Sequence, residues 1–364
     1  MVPRLLIASL LCVPAAALRA YGHAYSRPND FSAAQYAEVV ARFPVFTVEK
    51  EHAAALYGNA SRPKPFRSNS IAASVGTARN LKALEPSIKV LMYWNTALFF
   101  NLYECEADVD TATWLLPPAR SGTPKRYNYS VPAFRAWWVK CAIDAVVESD
   151  GALNGLFLDA TPKLESQRGA IAFLGTMIDA IKAALPPGSL VMDNGFYLTG
   201  AGAMYGGESV WSHTKLGYIE SLEKIGTSAL TPQQSMTYLT DLSNASSAHP
   251  APERMFIGHG NDSSETEFFY GLAKFLLITS SVENAFFLAN NASSGKAYSI
   301  DGGLLAQPTS VYADGDGVGC GEPLSNFFTA SGSVVSRAFE KGTVHIDLSA
   351  QSGAITCTGR TVAF

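Results

Sequence analysis

The sequence predicts an α/β fold, a TIM-like (β/α)8 barrel followed by a short C-terminal β appendage. Through the middle of the chain, short apolar segments alternate with segments whose apolar residues recur every three or four positions. This alternation is typical of parallel strands joined by helices. Several short segments are apolar on both faces, as strands covered on both sides are. Seven such strands can be recognised, which fits an eight-stranded barrel better than a six-stranded open sheet.

Residues that end helices, and the apolar segments themselves, mark where the individual strands begin and end. The Pro-Pro-Gly sequence at 186–188 ends one helix directly before the fourth strand. No Gly-x-Gly-x-x-Gly motif follows the first strand, which argues against a dinucleotide-binding fold. The predicted strands cover residues 43–48, 88–94, 153–158, 189–192, 217–222, 255–258 and 285–289.

The last part of the chain has a different pattern. From about residue 333, short strands and turns predict a β hairpin and one further strand. These strands either close the barrel or form a small appendage. We therefore expect a leader at 1–20, a barrel domain at 21–332 and C-terminal β strands at 333–364.

The N-terminus has the pattern of a secretory signal peptide. Arg4 precedes an almost unbroken apolar run at 5–13, and small residues follow at 15–17 and 20. The alternative, a membrane anchor, would need an apolar run of roughly 20 residues. We expect a secreted, extracellular protein; the cell wall and an endomembrane lumen are alternative locations. After cleavage of the leader, we expect no membrane contact.

Cysteines and glycosylation sequons agree with secretion. The four cysteines beyond the leader suggest two disulfides with three possible pairings. We favour Cys105–Cys141 and Cys320–Cys357, because each pair closes a local loop. Five Asn-x-Ser sequons indicate a glycoprotein. They lie at Asn59, Asn128, Asn244, Asn261 and Asn291.

Composition restricts the possible partners. The chain is 48% apolar and 16% charged, which suits a large buried core. Its net charge of −4 gives no reason to expect nucleic acid or an anionic membrane as partner. We expect a monomer that needs no cofactor or metal.

Polar residues at the strand ends are the candidates for chemistry, because a barrel of this kind carries its site at the C-terminal ends of its strands. Asp159 is the first candidate, since it directly follows a buried apolar strand; a helix N-cap or a structural hydrogen bond is the alternative. Glu220 is the second, with a surface position or a salt bridge to Lys224 as the alternative. The further candidates for substrate contact are Glu49, Tyr93, Trp94, Asn95, Asp193, Asn194, Trp211, His259 and Asn290.

Two carboxylates that face one site are what glycoside hydrolysis requires. Aromatic residues such as Tyr93, Trp94, Phe99 and Trp211 would serve as apolar platforms for sugar rings, unless they belong to the core. No histidine motif indicates a metal site, and no Gly-x-Ser-x-Gly indicates a serine hydrolase. The Asp-Gly-Asp-Gly turn at 314–317 does not continue as an EF-hand loop.

Four motifs resemble a known family. FTVEK (46–50), VLMYWN (90–95), YNYSVPAFRAWW (127–138) and GLFLDA (155–160) occur in this order. They resemble hypothetical glycoside hydrolases of eukaryotic microbes, barrels distantly similar to endo-α-1,4-polygalactosaminidases. The resemblance implies that Asp159 is the nucleophile and Glu220 the acid/base.

The sequence thus favours a glycoside hydrolase that cleaves O-glycosidic bonds in a poly- or oligosaccharide with two carboxylates and retention of configuration. One alternative is a non-catalytic carbohydrate-binding barrel. Another is a polysaccharide lyase that uses His259 or Tyr93 as a base on a uronic acid.

We predict that the mature protein begins between Leu18 and Tyr21, carries glycan on at least two sequons and holds no free thiol. Mass spectrometry of protein from a eukaryotic host checks all three statements. Alkylation of all four remaining cysteines without prior reduction would refute the disulfides.

Overall fold

The computed structural model of the chain confirms the barrel. It describes residues 19–24, 29–57, 69–196, 207–214, 216–219, 222, 224–225, 228–247, 255–259, 265–281, 285–288, 320–357 and 360–364. Eight parallel strands form a closed barrel in which each strand pairs with its neighbours in chain order. They are β1 (Arg19–Ala24), β2 (Val45–Val48), β3 (Lys89–Asn95), β4 (Gly155–Asp159), β5 (Leu190–Phe196), β6 (Leu216–Ile219), β7 (Met255–His259) and β8 (Ala285–Leu288).

Helices follow most barrel strands, as the alternating pattern predicts. Ser32 and Gln35 form a capping box at the start of the first helix, and Pro132 opens the fourth. Within the described residues, no helix is long and apolar enough to cross a bilayer. The helices are α1 (Ala33–Arg42), α2 (Ala54–Tyr57), α3 (Ser70–Leu84), α4 (Pro132–Val147), α5 (Ala170–Ala184), α6 (Gly207–Thr214), α7 (Pro232–Ser247) and α8 (Glu265–Ile278).

Strand β1 closes the barrel. It pairs with β2 from Tyr21 to Ala24 and with β8 at Arg19 and Ala20. The expectation that residues 43–48 form the first strand is therefore wrong. Residues 19 and 20 belong to the predicted leader, and this overlap concealed the strand. Cleavage after Ala20 would keep the part of β1 that pairs with β2, and the leader itself stays a prediction.

Gly155 allows β4 and β5 to approach each other. Its φ of 147° is a conformation that favours glycine, and an added Cβ would lie 1.7 Å from the carbonyl oxygen of Leu190. The glycine at the start of the GLFLD strand is thus required for the pairing of β4 with β5, and this pairing aligns the C-terminal ends of the two strands.

The connection from β3 to α4 forms a small structure beside the barrel mouth. It contains a three-stranded antiparallel sheet (Leu98–Phe99, Leu115–Leu116 and Lys125–Tyr127), and a disulfide between Cys105 and Cys141 ties it to α4. The buried carboxylate of Glu106 accepts hydrogen bonds from the Tyr127 hydroxyl at 2.7 Å and the Tyr103 amide at 2.9 Å. These interactions fix Leu98, a residue of this connection, next to the ends of the barrel strands.

The C-terminal strands form a separate antiparallel sheet rather than a closure of the barrel. This decides between the two arrangements expected, and the sheet has five strands and begins before residue 333. Its disulfide, Cys320–Cys357, and Cys105–Cys141 are the favoured pairing. The strands are β9 (Thr329–Ser331), β10 (Val334–Phe339), β11 (Gly342–Asp347), β12 (Ser352–Cys357) and β13 (Arg360–Ala363).

Arg337 joins this sheet to the barrel. Its guanidinium is buried and donates to the carbonyl oxygens of Leu277 at 2.8 Å, Thr279 at 2.6 Å and Ser325 at 2.6 Å. Two of these carbonyls lie at the C-terminal end of α8, where the helix leaves acceptors unsatisfied and favours a positive charge. Arg337 thus binds the sheet to the end of this helix, in addition to the apolar cluster that α8 shares with the sheet.

Candidate active site

A cleft of about 220 Å³ lies at the C-terminal ends of the barrel strands. A larger pocket, about 500 Å³, lies between α3 and α4 beside the Cys105–Cys141 disulfide, on the outside of the barrel. The predicted site residues gather at the smaller cleft. Its lining consists of His23, Glu49, Lys50, Tyr93, Asn95, Leu98, Phe100, Phe157, Asp159, Lys163, Asn194 and Tyr218.

Asp159 ends β4, and side chains of both neighbouring strands hold its carboxylate. The Nδ2 atom of Asn194 on β5 donates to Oδ1 at 2.8 Å. The hydroxyl of Tyr93 on β3 donates to Oδ2, and Nδ2 of Asn95 lies 3.5 Å from the same oxygen. Hydrogen bonds to both oxygens fix the orientation of the carboxylate.

The donors to Asp159 are themselves fixed. The Oδ1 atom of Asn95 accepts the backbone amides of Ala97 at 3.0 Å and Leu98 at 2.6 Å, so its Nδ2 atom points towards Tyr93 at 2.8 Å. Burial, followed by the charges of Asp159 and Glu49, raises the pKa of Tyr93 well above its ordinary value. Tyr93 therefore keeps its proton and remains a donor.

Glu49, directly after β2, is the second described carboxylate of the cleft. It is 4% exposed, with Lys50 Nζ at 3.0 Å from Oε2 and His23 Nε2 at 3.3 Å from Oε1. Burial raises the pKa of Glu49, but the charge of Lys50 and the contact with His23 outweigh burial, and the net pKa is lowered. Glu49 is therefore ionised at neutral pH.

Lys50 contacts both Glu49 and Tyr93, the residue whose hydroxyl donates to Asp159. Its ammonium lies 4.1 Å from the centre of the Tyr93 ring while it pairs with Glu49. A cation over an aromatic face is attracted to the ring electrons. The Tyr93 ring, whose hydroxyl donates to Asp159, thus packs against the Lys50 ammonium.

Trp94 and Trp211, expected as sugar platforms, do not line the cleft. Trp94 lies on the other face of β3 from Tyr93 and Asn95, and its ring centre is 4.4 Å from that of Tyr103. Trp211 is buried in α6 within an apolar cluster. Phe99 also lies outside the cleft lining, whereas its neighbour Phe100 belongs to the lining. These positions correct the expectation: strand alternation turns Trp94 into the core, the helix α6 buries Trp211, and Phe99 is half-buried outside the lining.

Asp193 is a further correction, since it lies behind the cleft. It is fully buried, and one oxygen accepts the Thr161 hydroxyl at 2.5 Å. Within the described part of the chain, its other oxygen has no hydrogen-bond partner. Burial raises the pKa of Asp193 to about 7, the Thr161 hydrogen bond opposes this, and the charge of Asp159 adds to it. Asp193 supports the turn after Asp159 instead of facing substrate.

Three predicted residues cannot be placed. Glu220 and Asn290 lie outside the described residues, and so does the side chain of His259. Their roles stay predictions.

Several residues of the cleft lining were not predicted from the sequence. His23 was concealed because its strand overlaps the predicted leader. Phe157 and Tyr218 lie two positions before Asp159 and Glu220, so the two-residue period of a strand was the signal that could have found them. Lys163 follows Asp159 in a 3₁₀ helix (Thr161–Ser166) that the sequence pattern did not indicate.

Comparison with known proteins agrees with the barrel fold. Among solved structures, the chain is similar to Amy13B of Eubacterium rectale, with a TM-score of 0.54 and 8% identity over 94% of this chain and 89% of that one. It is also similar to a family 39 glycoside hydrolase of Bacteroides cellulosilyticus, with a TM-score of 0.52 and 12% identity over 94% and 73%. The glycoside hydrolase domain of PelA from Pseudomonas aeruginosa matches with a TM-score of 0.46 and 16% identity over 74% and 98%. The search of curated proteins gives no match.

The class of protein is therefore that of the TIM-barrel glycoside hydrolases. Residues 82–343 match the model of hypothetical glycosyl hydrolase family 15, and the chain belongs to this family. The match confirms the resemblance to this family, and three of the four motifs lie within the matched residues.

The buried Asp193 predicts a pH dependence of stability. Its folded-state pKa of about 7 exceeds the ordinary 3.8, so the folded state binds more protons than the unfolded state between these values. Stability is thus lost as the pH rises through this window. The Asp193→Asn side chain is neutral at every pH. The free energy of unfolding of this variant, relative to the wild type, should therefore rise by about 2–4 kcal/mol from pH 4 to pH 8.

Urea unfolding at several pH values measures the difference, with Asp150→Asn at an exposed turn as the matched control. A constant difference across this range would show that Asp193 does not titrate there.

Proposed function

We propose that the protein is a secreted, retaining glycoside hydrolase that cleaves O-glycosidic bonds in a poly- or oligosaccharide. Asp159 is the nucleophile and Glu220 the acid/base in this proposal. The observation that carries it is the Asp159 carboxylate, held in the cleft by donors from the strands on both sides. A nucleophile needs a fixed carboxylate with one face open to substrate.

Glu49 is unsuited to the acid role. A general acid must hold a proton at the working pH. The neighbouring cation and the His23 contact lower the pKa of Glu49, and its two oxygens are occupied by Lys50 and His23. Glu49 suits the recognition of sugar hydroxyls.

Glu220 is proposed as the acid/base on the evidence of its neighbour in sequence. Tyr218, two positions earlier, lines the cleft. If the strand continues over 217–222 as the sequence predicts, Glu220 would share a face with Tyr218. A carboxylate near Asp159 would have its pKa raised by the negative charge, as an acid requires.

The proposed reaction has two steps. Asp159 attacks the anomeric carbon, the bond to the leaving oxygen breaks, and Glu220 gives its proton to that oxygen. Glu220 then removes a proton from water, which attacks the same carbon and releases Asp159. Two inversions give retention of configuration.

Secretion is supported by the signal-peptide pattern and by two disulfides, which form in oxidising compartments. Of the alternatives, a lyase that uses Tyr93 as base is disfavoured. The raised pKa of Tyr93 keeps its hydroxyl protonated, and that hydroxyl donates to Asp159. A non-catalytic barrel would bind sugar without turnover.

We predict that Asp159→Asn lowers kcat by about 1,000-fold or more, because the amide keeps the shape but cannot attack. Glu220→Gln should lower kcat about 100-fold for alkyl glycosides and spare dinitrophenyl glycosides, which need little protonation. The assay is product release from a broad panel of glycans and aryl glycosides.

The matched control is Asp150→Asn at the exposed turn before β4, which should retain wild-type activity. Undiminished turnover by Asp159→Asn would show that another residue is the nucleophile.

A further inference from the structure

The two sides of the cleft differ in how their cations are neutralised. Lys50 pairs with Glu49. Lys163 also lines the cleft, where its backbone amide donates to the carbonyl of Ala160 at 2.9 Å. Its side chain is exposed, and within the described residues it forms no salt bridge. Lys163 therefore brings to the cleft an exposed positive charge that pairs with no described carboxylate.

Arg126 lies next to Lys163 on the same side. Its Nη1 atom is 3.3 Å from Ser166 Oγ, and that hydroxyl donates to the Lys163 carbonyl at 3.3 Å. Arg126 is paired across the small sheet with Leu98, which lines the cleft. Cross-strand partners share one face of a sheet.

The guanidinium of Arg126 contacts only neutral oxygens among the described residues, those of Ser166 and Pro117. Its charge is therefore not cancelled by a carboxylate there. Lys163 lines the cleft with the apolar side chains of Leu98 and Phe100. Arg126 lies just outside this lining, linked to the Lys163 carbonyl through Ser166. We call Lys163 and Arg126 the cationic edge of the cleft. An apolar surface next to cations suits a sugar ring that bears a negative substituent.

We propose that the cationic edge is a subsite for a sugar unit with an anionic group, a uronate carboxylate or a sulfate ester, so that the substrate is an acidic poly- or oligosaccharide. This inference rests on the proposed function and extends it to a substrate class. Glu49 and Asp159 would repel an anion on the reacting ring. The anionic group therefore belongs to a neighbouring unit, on the side of Lys163 and Arg126.

The test is calorimetric binding of four tetrasaccharides to the full-length Asp159→Asn protein at low salt. The probes are tetragalacturonate, a sulfated galactotetraose, neutral galactotetraose and a galactosamine tetramer. At least one acidic probe should bind about tenfold more tightly than the neutral one. The two acidic probes separate carboxylate from sulfate recognition.

Adding Lys163→Met or Arg126→Met should weaken acidic binding roughly three- to tenfold and leave neutral binding unchanged. Lys341→Met, at an exposed turn of the C-terminal sheet, removes the same charge far from the cleft and should change nothing.

The proposal is overturned if no acidic probe binds, if the neutral or galactosamine probe binds as tightly, or if both Met variants keep acidic affinity within about twofold. Hydrolysis by the wild type separates this result from the proposed function. Lys163-dependent binding without cleavage would contradict the hydrolase and leave the subsite. Cleavage of a neutral or cationic glycan by the wild type, and at the same rate by Lys163→Met, would support the hydrolase and contradict the subsite.

Discussion

The register of β3, β4 and β5 is the constraint on which the cleft depends. Asn95 lies opposite Asp159 and Leu158 opposite Asp193, which places Asn194 beside Asp159. A slip of one residue in β4 would turn Leu158 into the cleft and Asp159 towards the helices. Gly155 permits the close approach of β5 that sets this register, so the position of the carboxylate is decided at the opposite end of its strand.

Strand alternation gives two similar aspartates different environments. Asp159 and Asp193 both follow apolar residues near the ends of adjacent strands. One faces the cleft and receives donors on both oxygens, whereas the other is buried with one hydroxyl partner. The sequence pattern predicted the strands and therefore Asp159, but it could not assign Asp193 or Trp94 to a face. That assignment needs the register of neighbouring strands, which is a long-range property.

The remaining differences have local causes. The segment RAYGHA is short and partly polar and overlaps the predicted leader, so β1 and His23 were not recognised. Lys163 sits in a 3₁₀ helix whose preceding residue, Ala160, has a φ of 70°, a conformation that apolar periodicity does not signal. Lys163 and Arg126 could therefore be recognised only in the structure. The alternating pattern predicted the barrel and the position of Asp159 after a buried strand, and loop closure favoured one of three disulfide pairings.

In the proposed mechanism Asp159 forms the covalent bond to the sugar. The direct measurement is intact-mass and peptide analysis of the wild type after incubation with a panel of activated 2-deoxy-2-fluoroglycosides, which slow release of a glycosyl-enzyme. The account predicts one glycosyl adduct, on Asp159. An adduct on Glu49, Glu220 or any other residue would contradict it, as would turnover of natural glycan with inverted products.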